Sequence, residues 1–216
     1  MSDEVYLAAG GPERSIGDEE LRELTTATLR RVRGESGKVL AIGPDATRLD
    51  SRAGIITGFV EGLYGDRLDR VLLALGTHEK MREDRIASMY PGVPLRKFHQ
   101  HDWRNEVVTV GELPAEFIAD ATGGAFSRPW PFQLNRLIAH GGHDLILSIG
   151  QVVPHEGVGM ANFIKNMVVG CGGPESINLS HMIGAVYGME SIMGRHGTPL
   201  HRIFEEGFRR FCTQLP

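Results

Sequence analysis

Three short stretches, residues 38–42, 70–75 and 145–149, are apolar without alternation, and each ends in a glycine or a Gly-Pro pair. A strand with one wet face alternates; a strand covered on both faces does not. Between the runs lie segments with helical periodicity, at 17–33, 51–63, 79–89 and 132–140. The first reads as an N-capped helix with Asp18 and further acids in its first turn and Leu21, Leu24 and Leu29 on one face. Apolar strands separated by helices predict an α/β fold, a mostly parallel sheet covered by helices. Residues 106–120 predict an added β-hairpin segment, 157–200 glycine-rich loops with helical pieces, and 200–211 an amphipathic closing helix.

The 216 residues suit one α/β domain spanning 1–216. No apolar run approaches the ~20 residues of a membrane span, and Met1, Ser2, Asp3 and Glu4 form no basic, apolar leader. Two cysteines, Cys171 and Cys212, make no disulfide framework and suit a reducing cytoplasm. A net charge of −4 disfavours nucleic acid as a partner, and the cluster Arg30, Arg31 and Arg33 reads as a solvated helix face. The 28 glycines gather at 141–150, 157–173 and 184–197, as expected of loops built around something bound.

Ligands of parallel sheets sit beyond the carboxyl ends of the strands. There the chain places Asp45, Thr47 and Arg48 after the first run, His78 after the second and His155 after the third. An arginine beside an aspartate and a threonine on such a loop suits a phosphate or carboxylate. Two histidines on converging loops suit proton transfer near neutral pH, and two bases on opposite faces of one carbon suit inversion of a stereocentre. Lys165, in a mostly apolar glycine-rich stretch, reads either as a snorkelling surface lysine or as a partly desolvated amine open to covalent chemistry, and His181 follows sixteen residues later. Other polar residues read as structural: Cys171 as a buried thiol in a glycine turn, His140 and His143 as caps around Gly141-Gly142, His196 and His201 as surface residues. His99 and His101 with Asp102 offer a zinc-hydrolase alternative, though without an evident third ligand.

Together, Asp45-Ala46-Thr47-Arg48, Thr77-His78, His99-Gln100-His101-Asp102-Trp103, Pro154-His155, Lys165 and His181 resemble the signature of the nickel-dependent lactate racemase family over residues 38–185. The resemblance implies a racemase or epimerase of 2-hydroxy acids, carrying a nickel-pincer nucleotide covalently at Lys165 with His181 as the protein ligand to nickel. It implies His78 and His155 as the acid–base pair, Arg48 facing the substrate, and Asp45 and Thr47 near the substrate carboxylate or the cofactor phosphate. It implies as partners the proteins that make the cofactor, and a C-terminal domain lying outside these residues. Where lactate-specific members carry Gly-Gly-Arg-Lys, this chain has Asn162-Phe163-Ile164-Lys165, which opens the substrate range to larger or more polar 2-hydroxy acids. The alternative is a non-catalytic nucleotide- or anion-binding module of the same fold.

Overall fold

The computed structural model describes residues 5–33 and 37–216, with the side chain of Arg33 outside the description; residues 1–4, whose lack of a leader the sequence suggested, also lie outside it. The first half runs α1 (Asp18–Arg33), β1 (Val39–Pro44), α2 (Ala53–Tyr64), β2 (Leu68–Ala74), α3 (Glu83–Met89) and β3 (Phe98–Gln100). Then follow β4 (Val107–Leu113), α4 (Ala115–Ala121), β5 (Trp130–Asn135), α5 (Arg136–His140) and β6 (Leu145–Ser148). A two-strand ribbon, β7 (Pro154–His155) and β8 (Gly159–Met160), precedes α6 (Ile164–Val168), α7 (Pro174–Tyr187), α8 (Met189–Ile192) and α9 (Pro199–Phe211).

The main sheet has the order β3-β2-β1-β6 and is parallel throughout. Because side chains alternate across a strand, β1 sends Val39 and Ala41 to one face and Leu40 and Ile42 to the other. The first face is covered by α1, α2 and α3 through Leu29, Val60, Tyr64, Ile86 and Met89. The second is covered by β4, β5, α6, α7 and α9 through Phe132, Leu134, Val168, Ile177 and Phe204. That double cover explains the non-alternating runs. The chain leaves β1 toward β2 on one side, while β6 arrives on the other, so the crevice at the carboxyl end of β1 is the topological switch point.

Two local expectations change. The added antiparallel segment pairs β4 with β5, not with residues 115–119, which form α4. Pro114, without an N–H, ends the ladder, and Ile118 and Ala121 bury a helical face instead. Residues 132–140 are not one helix. Residues 130–135 are wholly buried and pair as β5, and the Asn135 side chain then accepts from the Leu137 N–H at 2.9 Å, starting α5. The first helix begins at Asp18, with Asp18, Glu19 and Glu20 in its first turn as expected. Among the described residues no helix is long and apolar enough to cross a membrane.

Candidate active site

The carboxyl edge of the sheet opens into a cavity of about 360 Å³ lined by Asp45, Thr47, Arg48, His78, His155, Lys165 and His181. The seven residues expected at the sheet edge, at Lys165 and at His181 therefore line the same space, while His99, His101 and Asp102 do not.

Asp45 follows β1 directly and is buried. Its Oδ1 accepts from the Thr47 N–H at 3.0 Å and the Thr47 hydroxyl at 2.5 Å, while Oδ2 lies 2.5 Å from His78 Nδ1. Burial would raise the carboxyl, but the hydrogen bonds from Thr47 and His78 outweigh it and hold Asp45 below the usual carboxylate range. It is therefore an anion at neutral pH, and His78 donates Nδ1–H to it. Asp45 and Thr47, expected near a bound phosphate or carboxylate, are thus turned onto one another and onto His78. Arg48 lies in the short 3-10 turn Ala46–Ser51 but leaves helical geometry (φ −118°, ψ 38°). No hydrogen bond or ion pair of its guanidinium is formed among the described residues.

His78 is positioned by the turn after β2. Gly76 takes φ +55°, a conformation open to glycine, and its N–H donates to the Gly170 carbonyl at 2.8 Å, tying this loop to the one behind Lys165. His155 comes from β7, opposite Gly159 in the ribbon, and is buried. Burial first, and the charge of Lys165 second, lower its pKa to about 4 against an opposing pull from Glu156. It is neutral at pH 7. The Gly157 N–H donates to His155 Nδ1 at 3.1 Å.

Lys165, on α6, is partly buried, and burial together with the nearby Arg48 lowers its amine to about 8. Among the described residues no hydrogen bond or ion pair holds the ammonium. The lowered pKa makes more of the free amine, the form that attacks an electrophile, accessible than in an ordinary lysine. His181, on the exposed side of α7, donates Nδ1–H to the Ile177 carbonyl at 2.8 Å. This hydrogen bond fixes the tautomer that leaves Nε2 free to ligate a metal. Its ring meets that of His155 edge-on, with centroids 6.5 Å apart.

The matching family decides the lineage: the lactate racemase N-terminal domain covers residues 11–194. The chain belongs to that family. A crystal structure of a Thermotoga maritima protein from structural genomics is 26% identical with TM-score 0.76, over 89% of this chain and 47% of that one. The lactate racemase apoprotein from Thermoanaerobacterium thermosaccharolyticum shares the fold, with 18% identity and TM-score 0.67 over 90% of this chain and 46% of that one. The chain thus spans about half the length of these two structures. No match was found among curated proteins.

Within this lactate racemase N-terminal domain, the remaining histidines are engaged elsewhere. His99 Nε2 contacts Glu106 at 2.6 Å, while His101 is buried between the Gly172 carbonyl at 2.9 Å and the Asn135 amide at 2.9 Å. Their rings are committed to different partners, which removes the zinc-hydrolase arrangement. His143 is buried against Asp69 at 3.1 Å, and Cys171 is buried, its thiol pushed up by desolvation. His201 corrects an expectation. It is buried, not on the surface, because it closes a capping box with Thr198 at the start of α9. The sequence reading passed over Gln151, Glu156, Asn162 and Asn166, which also line the cavity. Asn162 and the neighbouring Phe163 both take positive φ, 70° and 53°.

Proposed function

We propose that the chain is the cofactor-carrying half of a racemase or epimerase of 2-hydroxy acids that works with a nickel-pincer nucleotide. One observation carries this reading: a partly buried lysine with a lowered pKa, an unpartnered guanidinium and three imidazoles share a single cavity. The residues present suit the group. Lys165 would hold the pyridinium mononucleotide covalently, and His181 Nε2 would ligate the nickel. When bound, the group supplies a reversible hydride acceptor, chemistry that no amino-acid side chain performs.

The chain's own residues bind, orient and move the proton. Arg48 offers a two-pronged donor to the substrate carboxylate. His78 Nε2 takes the 2-hydroxyl proton, and Asp45 balances the imidazolium so formed, as a buried carboxylate does behind a catalytic imidazole. His155 meets the substrate from the β7–β8 ribbon. A C-terminal domain would close the cleft, and proteins that build the cofactor would load it.

Intact-mass spectrometry tests the reading. Chain produced together with the cofactor's biosynthetic proteins is expected to gain a nucleotide-sized adduct that Lys165→Ala abolishes. A bare mass under those conditions would leave the non-catalytic anion-binding module in its place.

A further inference from the structure

Resting on the reading of Lys165 as the residue that carries the cofactor, we propose that His101, outside the cavity, is a positioning residue for it. His101 completes a clasp of three hydrogen bonds on the successive carbonyls of Gly170, Cys171 and Gly172. The clasp fixes the end of α6, and with it the place of the Lys165 amine.

The need for such a device follows from α6 itself. It has five residues, and Phe163 at its start makes no side-chain capping bond. A helix this short does not hold its own geometry in water, so its direction is set by what grips its ends. The Lys165 carbonyl accepts from the Val169 N–H at 2.9 Å and the Gly170 N–H at 3.3 Å. The three carbonyls of 170–172 are each taken by a different element. The Gly76 N–H, after β2, donates to Gly170 at 2.8 Å, and the Asn135 N–H, at the end of β5, donates to Cys171 at 2.8 Å. His101, just after β3, reaches Gly172 through Nε2 at 2.9 Å. The turn they grip is tight: a Cβ at Gly172 would lie 1.8 Å from the Val168 carbonyl oxygen, and one at Gly170 2.5 Å from that of Asn166.

The direction of the His101 bond is set by its neighbours. Asn135 Oδ1 accepts from the Leu137 N–H at 2.9 Å, so its Nδ2 is the atom that faces His101 Nδ1, at 2.9 Å. Nδ1 therefore accepts, and Nε2 carries the hydrogen that the Gly172 carbonyl receives. The ring is buried with both nitrogens used, and the backbone N–H of His101 is held by the Leu73 carbonyl at 3.3 Å, at the end of the main sheet. Without the ring, the buried Gly172 carbonyl loses this donor, and the turn shifts to find another. Lys165 then moves toward water, losing the burial that holds its amine at about 8.

The pH profile of reductive methylation at Lys165, read by peptide mass spectrometry on cofactor-free chain, tests this. His101→Ala removes the ring, and His101→Asn keeps an acceptor for Asn135 but is too short to reach Gly172. Both are expected to move the midpoint up by about one pH unit or more, toward the ordinary lysine value. His101→Gln, whose amide can still donate to Gly172, should leave the midpoint near that of the unmodified chain. Loss of packing alone would lower the urea midpoint of all three variants without moving the Lys165 profile. An unshifted profile in a folded Ala or Asn variant overturns the proposal, as does a Gln variant that behaves like Ala. If neither Ala nor Asn variant folds, hydrogen exchange of the unmodified chain decides. The Val169 and Gly170 amides should exchange as slowly as those within β1, and fast exchange there overturns the clasp. No cofactor is involved, so this result and the adduct on Lys165 succeed or fail separately.

Discussion

His78 Nδ1 lies 2.5 Å from Asp45 Oδ2, joining the loops that leave two neighbouring parallel strands. Thirty-three positions separate the two residues in sequence. Strand pairing brings them together, and the cover over Asp45 makes the contact count, since a buried carboxylate is screened little by water.

Asp45→Asn tests this pair. Turnover of the cofactor-loaded enzyme is expected to fall on the order of 10²-fold or more, the scale of a misaligned acid–base group. The introduced amide can offer its N–H to Nδ1, so NMR should show the His78 hydrogen shifted to Nε2, a change that loss of packing alone would not produce. The same variant has a pH signature in stability. A carboxyl lowered on folding stabilises above its unfolded value, about 3.9, and that contribution is lost as pH falls through the folded value. The deficit of the variant in urea midpoint should therefore be largest at neutral pH and vanish in strong acid.

Lys165→Met should stabilise the chain at pH 7. Burial, then the charge of Arg48, hold the amine at about 8, below the unfolded value of about 10.4. The unfolded chain thus binds more protons between these values, and stability of the unmodified protein rises with pH across that window. The methionine variant lacks this titration. Its advantage, on the order of 1–2 kcal/mol at pH 7, should shrink as pH climbs from 8 toward 10. Chemical denaturation at pH 7 and pH 10 measures it, and equal midpoints at pH 7 would mean that the ammonium is well solvated.

Phe163→Gly addresses the backbone beside the reactive lysine. Phe163 has φ 53° and ψ −145°, with 56% of its surface exposed. A Cβ in that region costs about 1–2 kcal/mol, while glycine adds roughly 0.5–1 kcal/mol of unfolded-state freedom, and the exposed ring gives up little burial. A net gain of about 0.5–1 kcal/mol is expected in thermal unfolding. A loss would point to a contact made by the ring that outweighs the strain.

Much of the architecture was legible because burial on both faces leaves a plain mark. The runs ending at Ile42, Leu75 and Ile149 read as strands, and parallel strands carry their following loops to one edge. Asp45, Thr47, Arg48, His78 and His155 were found that way, while Lys165 and His181 drew their meaning from the family resemblance. β5 was misread as helix because a short, wholly buried strand has no period of its own, and α4 was misread because seven residues hold barely two turns.

What the amino-acid order determined by itself was the layered sheet and the set of chemical groups at its carboxyl edge, because burial pattern and strand direction are properties of local segments. What only the folded chain decided was which group each imidazole meets: the Asp45 carboxylate for His78 and the Gly157 N–H for His155, with the missing side chain at Gly184 letting the 155–157 turn pack against α7. Such contacts depend on how elements pack, and nothing in the spacing of residues along the chain encodes them.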